Sequence, residues 1–242
     1  MLLDKSKIKN ILFVDIETVP MVADFDELPL ALRDLWIRKA LTIKDSEGLT
    51  PQELFFEKAG IFSEFGKIIC ISAGFFYGAE DDLMFRCKTF WDDSEKVLLE
   101  NFANLLEEKF NSPDHYICGH NVKEFDIPYM ARRMLINQVP LPHILNIPGR
   151  KPWEVKFIDT LELWKFGDYK NYTSLALLAA VFNLPTPKDD IAGNDVARVY
   201  WRENNLERIA VYCSKDVVTT ARLYLRYCIA GDLPDDRVES LV

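Results

Sequence analysis

Asp15 and Glu17 stand two residues apart at the end of an apolar run, Ile11-Leu12-Phe13-Val14, in the segment ILFVDIETVP. Such a run reads as a strand buried on both faces. Because strand side chains alternate, the two carboxylates share one face, with Cβ atoms roughly 7 Å apart. Like charges on a buried face repel and desolvate poorly unless protons or cations compensate them, and a divalent cation is the natural compensation. A third carboxylate, Asp216, follows Tyr212 by one helical turn in YCSKD. Both lie at one margin of an apolar stripe that includes Ile209, Cys213, Val217, Ala221 and Tyr224. Asp126, in GHNVKEFDIP, precedes a helical stretch with Pro128 in its first turn. Taken alone, each has an ordinary explanation: a solvated strand end, an amphipathic helix whose edge carries Tyr and Asp, and a helix cap.

Brought together, Asp15, Glu17, Asp126 and Asp216 would hold two divalent cations. A pair of hard ions about 3.5–4 Å apart can activate water, neutralise a pentavalent phosphate and stabilise the leaving oxygen of a phosphodiester. Mg²⁺ prefers oxygen ligands and keeps waters, and Mn²⁺ accepts a similar site. Zinc-type motifs are absent: Cys70, Cys87, Cys118, Cys213 and Cys228 form no CxxC, and His115, His120 and His143 show no HExxH spacing. His120, in a turn beside Asn121, reads equally as a turn-stabilising side chain or a substrate contact.

The joint pattern resembles the DEDD family of 3′–5′ exonucleases, above all the exonuclease domain of B-family DNA polymerases and its stand-alone bacterial relatives. The matching text, in the family's order, is FVDIET, EFGKIICIS, ICGHNVKEFDIPYMARR, FIDTLELW, KNYTSLALLA and YCSKDVVTTARLY, spanning Ile11 to Cys228. One branch of the family places a histidine five residues before its last aspartate and the other a tyrosine four before; Val211 and Tyr212 occupy those positions, which makes this the tyrosine branch. The resemblance implies that Asp15 bridges two metals and that Glu17 and Asp216 complete the site holding the attacking water. It also implies that Asp126 serves the second metal and that Tyr212 orients the water. It further implies hydrolysis at single-stranded or frayed 3′ ends, with DNA favoured over RNA. An exoribonuclease, or a nucleic-acid-binding scaffold with weak hydrolysis, is the alternative. Since no polymerase domain accompanies these motifs, proofreading would call for a polymerase or repair partner in trans. Substrate contacts are expected from Asn121 and Phe125, as hydrogen-bonding group and apolar wedge, and from Lys170 and Ser174 ahead of a helix. Burial competes for Phe125 and helix capping for Ser174. Asp159, at a strand end, reads first as a cap for the next helix and second as support for the metal shell.

The elements that must position these residues read as strand 11–15, helical stretches 29–44 and 51–59, strands 67–76 and 82–90, and helix 94–110. Strand 116–118, helix 127–136, strand 155–158 and helices 173–182, 192–203 and 205–229 follow. This is an α/β pattern with a mixed sheet flanked by helices, which the resemblance sharpens to a ribonuclease H-like three-layer fold. No linker, repeat or low-complexity tract divides residues 1–242, so a single exonuclease domain is expected. Residues 20–65 are long for a strand connection; Trp36, Phe55 and Phe56 would pack them as an extra helical layer or line a substrate channel, with packing favoured. Twenty-nine Lys and Arg against 38 Asp and Glu give a net charge of −9, which disfavours avid non-specific duplex binding and leaves strand guidance to a local basic rim. Candidates for that rim are Arg132, Arg133, Arg150, Lys151, Lys165, Lys170 and Lys188. The N-terminus lacks a signal-peptide core, no apolar stretch reaches membrane-spanning length, and the unpatterned cysteines fit a reducing cytoplasm.

Overall fold

The computed structural model describes residues 5–44, 48–79, 82–168, 172–185 and 191–242. Strand β1 (Ile11–Pro20) runs past its expected end at Asp15, because its antiparallel ladder with β2 (Gly66–Ala79) continues to the Pro20–Gly66 pair. A bulge interrupts that ladder between Glu17 and Thr18. Strand β3 (Asp82–Trp91) extends the meander, and β6 (Val238–Leu241) joins it in parallel at the far edge. On the other side of β1, β4 (Tyr116–Gly119) and β5 (Phe157–Asp159) pair in parallel, giving the order β5-β4-β1-β2-β3-β6.

Among the described residues, eight α-helices surround this mixed sheet: α1 (Leu30–Ala40), α2 (Pro51–Lys58), α3 (Glu95–Lys109), α4 (Asp126–Ile136), α5 (Thr160–Lys165), α6 (Leu175–Val181), α7 (Val196–Trp201) and α8 (Leu206–Tyr227). Alternation along β1 sorts the core. Leu12, Val14 and Ile16 face α3 and α4, where Leu98, Phe102, Ile127 and Met130 bury them. Ile11 and Phe13 face Val217, Ala221 and Tyr224 of α8. The sheet is thus sandwiched between helices, and the two-residue period turns Asp15 and Glu17 toward the α8 side. Among the described residues, no helix is long and apolar enough to cross a membrane.

The segment between β1 and β2 folds as the expected helical layer. Trp36 and Phe55 are fully buried, with ring centroids 5.3 Å apart, and pack with Phe25, Leu28 and Phe65. Thr50 starts α2 through a reciprocal capping box with Glu53. Two elements, α5 and β6, have no counterpart in the sequence reading. Six and four residues, respectively, are too few to display a period.

Candidate active site

Three elements meet at the carboxylates. On β1, ligand atoms of Asp15 and Glu17 lie within 4.8 Å of each other and of the Cys213 thiol on α8. The Cys213 Sγ donates to the Asp15 carbonyl and to its Oδ2, each at 3.4 Å. One residue before it, Tyr212 hydrogen-bonds Asp216, so the helical turn predicted to pair phenol and carboxylate does so. Asp15, Tyr212 and Asp216 line a cavity of ≈450 Å³ together with His120, Tyr172 and Ser174. Glu17 opens instead onto a second cavity, of ≈520 Å³, walled by Thr18, Phe56, Gly60, Phe125 and Arg198. The bulge falls between Glu17 and Thr18, both of which line this second cavity, and bulges are where strands redirect side chains.

Asp126 reaches the group from α4. The β1–β4 ladder ends at the Phe13–Cys118 pair, and beyond it the Asp126 Oδ1 accepts the Ile16 amide at 3.2 Å. Asp126 is the first residue of α4 rather than its cap; Phe125 holds the cap position without a side-chain bond. The capping alternative is therefore not the one realised. Its carboxylate is 4% exposed, and burial pushes it up to about 7 despite the opposing bonds from its own amide and that of Ile16. Burial likewise lifts Asp15 well above the usual carboxylate range, and the charges of Asp126 and Asp216 add to it. Glu17 is raised by burial and then by Asp15. Asp15, Glu17 and Asp126, whose charge burial opposes, offer with Asp216 mainly hard oxygen donors, the kind that hold divalent cations.

The loop that delivers Asp126 is built around Asp159. This buried carboxylate caps α5, as expected, accepting from Leu161 N at 2.9 Å and Glu162 N at 3.3 Å. It also accepts from Asn121 N at 3.0 Å and Lys123 N at 3.1 Å. Asn121 occupies the left-handed region at φ 65°, which Asn tolerates, so its backbone serves the turn. Gly119 admits no side chain: a Cβ there would lie 2.7 Å from that of Val122 and 2.9 Å from the Val14 carbonyl. His120 ties the loop to the approach of α6, its Nε2 donating to the Thr173 carbonyl at 2.9 Å and its Nδ1 paired with Thr160 Oγ1 at 2.9 Å. Burial lowers its pKa.

The remaining expected contacts divide. Phe125 is both packed and exposed to a cavity, its ring 5.4 Å from that of Tyr129 and one edge lining the space beside Glu17. Ser174 caps α6, accepting from Leu177 N at 3.2 Å, and also lines the cavity at Asp15. Lys170 and Lys188 lie outside the described residues. Arg133 is no rim residue. It is buried, donating its Nε to Glu95 Oε1 at 2.8 Å and its Nη1 to the Ser63 carbonyl at 2.9 Å. Its helix position turns it inward beside Met130 and Met134, and Glu95 supplies the charge that makes this tolerable. The sequence reading missed Cys213 and Tyr172. Cys213 registered only as an apolar helix position. Tyr172, 64% exposed with its ring edge-on to His120, lines the cavity that also holds Asp15 and Asp216.

A DNA polymerase of Pyrococcus glycovorans is 24% identical over 143 residues, which are 54% of this chain and 18% of that protein. The chain thus spans under a fifth of this relative's length. Among solved structures, the family B DNA polymerase of Pyrobaculum calidifontis aligns at a TM-score of 0.49 and 15% identity over 92% of this chain and 27% of its own. Exonuclease I of E. coli, in complex with a dT13 oligonucleotide, aligns at 0.40 and 14% over 82% and 42%. A family model described as a predicted 3′–5′ exonuclease related to the exonuclease domain of PolB matches residues 62–241, a range that holds Asp126, Tyr212 and Asp216 and begins after Asp15 and Glu17. That match covers most of the chain, and the chain belongs to this PolB-related exonuclease family.

Proposed function

We propose that this protein is a divalent-metal-dependent 3′–5′ exonuclease that removes nucleotides from single-stranded or frayed DNA ends. The observation that carries the reading is the meeting of Asp15, Glu17, Asp126 and Asp216 around β1, with Tyr212 bonded to Asp216 at the rim of a cavity. Asp15, Glu17, Asp126 and Asp216 would hold two Mg²⁺ or Mn²⁺ ions. When bound, such ions lower the pKa of water and offset charge on the scissile phosphate. The residues do the rest. Tyr212 keeps its proton, since burial and then Asp216 raise its pKa, so it acts as a hydrogen-bond donor that orients water. Asp159 holds the loop from which Asn121 and Phe125 would grip the terminal nucleotide, with Ser174 at the cavity beside Asp15. Phe56 and Phe125 offer apolar walls next to Glu17 for a base freed from its stack.

A 5′-labelled single strand incubated with Mg²⁺ or Mn²⁺ is expected to shorten stepwise from its 3′ end, with mononucleotide release that chelator abolishes. Internal cuts, or turnover in excess EDTA, would defeat the reading. RNA of matched sequence in a parallel lane decides between deoxyribonuclease and exoribonuclease, and binding without shortening in both lanes indicates the scaffold. Co-purification with a polymerase or repair protein would test a partner in trans.

A further inference from the structure

The thiol of Cys213 has no task in the chemistry above, yet it stands in the middle of it. It is fully buried on α8, behind β1, and reaches the same Asp15 oxygen that would serve a catalytic cation. A second thiol adjoins it. Cys70 is the ladder partner of Glu17 across β1 and β2, is equally buried, and shares a hydrogen bond with Cys213. Asp15, Glu17 and Cys213 thus place two carboxylates and one thiol within 4.8 Å of one another, with the Cys70 thiol against that of Cys213. The remaining cysteines lie elsewhere: Cys87 and Cys118 sit in the cluster around Phe13, with Cys228 at its margin.

We infer that Asp15, Glu17 and Cys213 form a second coordination site that selects a thiol-binding divalent cation, zinc first, and that its occupation shuts off hydrolysis. Soft thiolate donors favour Zn²⁺ and its chemical relatives over Mg²⁺, which demands oxygen. The geometry fits. Ligands of a tetrahedral zinc at about 2.3 Å for sulfur and about 2.0–2.2 Å for oxygen are separated by about 3.5 Å. The Cys213 Sγ and Asp15 Oδ2 are 3.4 Å apart, and the Glu17 oxygen lies within 4.8 Å of both. Coordination releases the thiol proton to solvent, leaving the thiolate on the metal. Asp15 and Glu17 belong to both ligand sets, so a cation held by Cys213 withdraws them from the hard-metal site. The inhibitory part of the inference rests on the proposed exonuclease reading; the site itself does not.

Co²⁺ serves as the probe, because a thiolate bound to it gives a near-ultraviolet charge-transfer absorption that carboxylates do not. Full-length, chelator-stripped protein titrated with Co²⁺ should develop this band to saturation at one equivalent. Excess Mg²⁺, competing for Asp15 and Glu17, should bleach it. Cys213→Ser and Cys213→Ala should abolish the band, checked on variants whose circular dichroism matches the wild type. In Mg²⁺-supported digestion, the Zn²⁺ concentration giving half inhibition should rise about ten-fold in either variant. Absence of the band in folded wild-type protein, its persistence in a Cys213 variant, or its indifference to Mg²⁺ would overturn the inference. The wild-type band and its response to Mg²⁺ decide the matter even if both variants misfold. A Cys213-dependent band without hydrolysis of any oligonucleotide would sink the exonuclease reading alone; hydrolysis without a band would sink this one alone.

Discussion

Asp15, Glu17, Asp126 and Asp216 bring more negative charge into one half-buried place than the fold can hold ionised without compensation. Removing one charge relieves repulsion even as it removes a ligand. Asp15→Asn is therefore expected to reduce hydrolysis by roughly two or more orders of magnitude. The same change should raise the melting temperature of the metal-free protein and shrink the rise that Mg²⁺ produces. Melting curves with and without Mg²⁺ check this, and a variant that melts earlier in chelator would count against the charge-crowding account. Tyr212→Phe deletes the bond to Asp216 without adding charge. The single-turnover rate should fall at least about ten-fold while oligonucleotide affinity, measured with Ca²⁺ in place of Mg²⁺, holds within about two-fold. An unchanged rate would take Tyr212 out of the mechanism. The pairings of Asp15 with Glu17 and of Tyr212 with Asp216 were legible because strand alternation and the helical turn are local rules, whereas joining them with Asp126 rested on the family resemblance. The thiol at Cys213 was not legible, because nothing in its own segment says that β1 will pass across it.

At the scale of elements, two buried carboxylates act through the backbone they hold. Asp159 joins the end of β5, the start of α5 and the loop entering α4 by four amide hydrogen bonds. Asp159→Ala should cost about 2–4 kcal/mol, since amides lose their acceptor. Hydrogen exchange should quicken at Asn121 and Lys123 before it does elsewhere. Glu95 accepts from the Ile68 amide, from Arg133 and from Asn137, and so ties α3, β2 and α4 together. Arg133→Met leaves that carboxylate buried without its partner and should cost about 3–5 kcal/mol by denaturant unfolding. A cost near zero would mean that Glu95 finds solvent. The sequence reads α4 well through its apolar period, yet assigns Arg133 to the surface, because periodicity tells which face is inside and not that a distant Glu waits there. It likewise anticipates Asp159 as a helix cap, without tracing α5 itself, and is silent on the two amides it borrows from the loop. The short β6 escapes for the opposite reason, having too little pattern of its own and owing its place to pairing with β3.

The whole molecule couples these charges to folding. An Asp in the unfolded chain titrates near about 3.9, whereas Asp126 in the folded protein titrates at about 7, with Asp15 and Glu17 also raised. Between those values the metal-free folded state still holds protons that the unfolded chain has released, so stability falls as pH rises through this window. Below it both states are protonated and nothing is lost. A bound divalent cation replaces the protons and removes the penalty. Mg²⁺ should therefore add little to the melting temperature at about pH 5 and progressively more toward about pH 8, the difference amounting to a few kcal/mol. The acidic net charge of −9 works in the same direction, since self-repulsion in the compact state grows with ionisation. Thermal unfolding in chelator and in saturating Mg²⁺ across this range provides the measurement. Ca²⁺, which also takes oxygen ligands, should reproduce the pattern in stability. Equal stabilisation at both ends of the range would show that the carboxylates are already ionised without a cation, and that their charge is balanced by something other than metal.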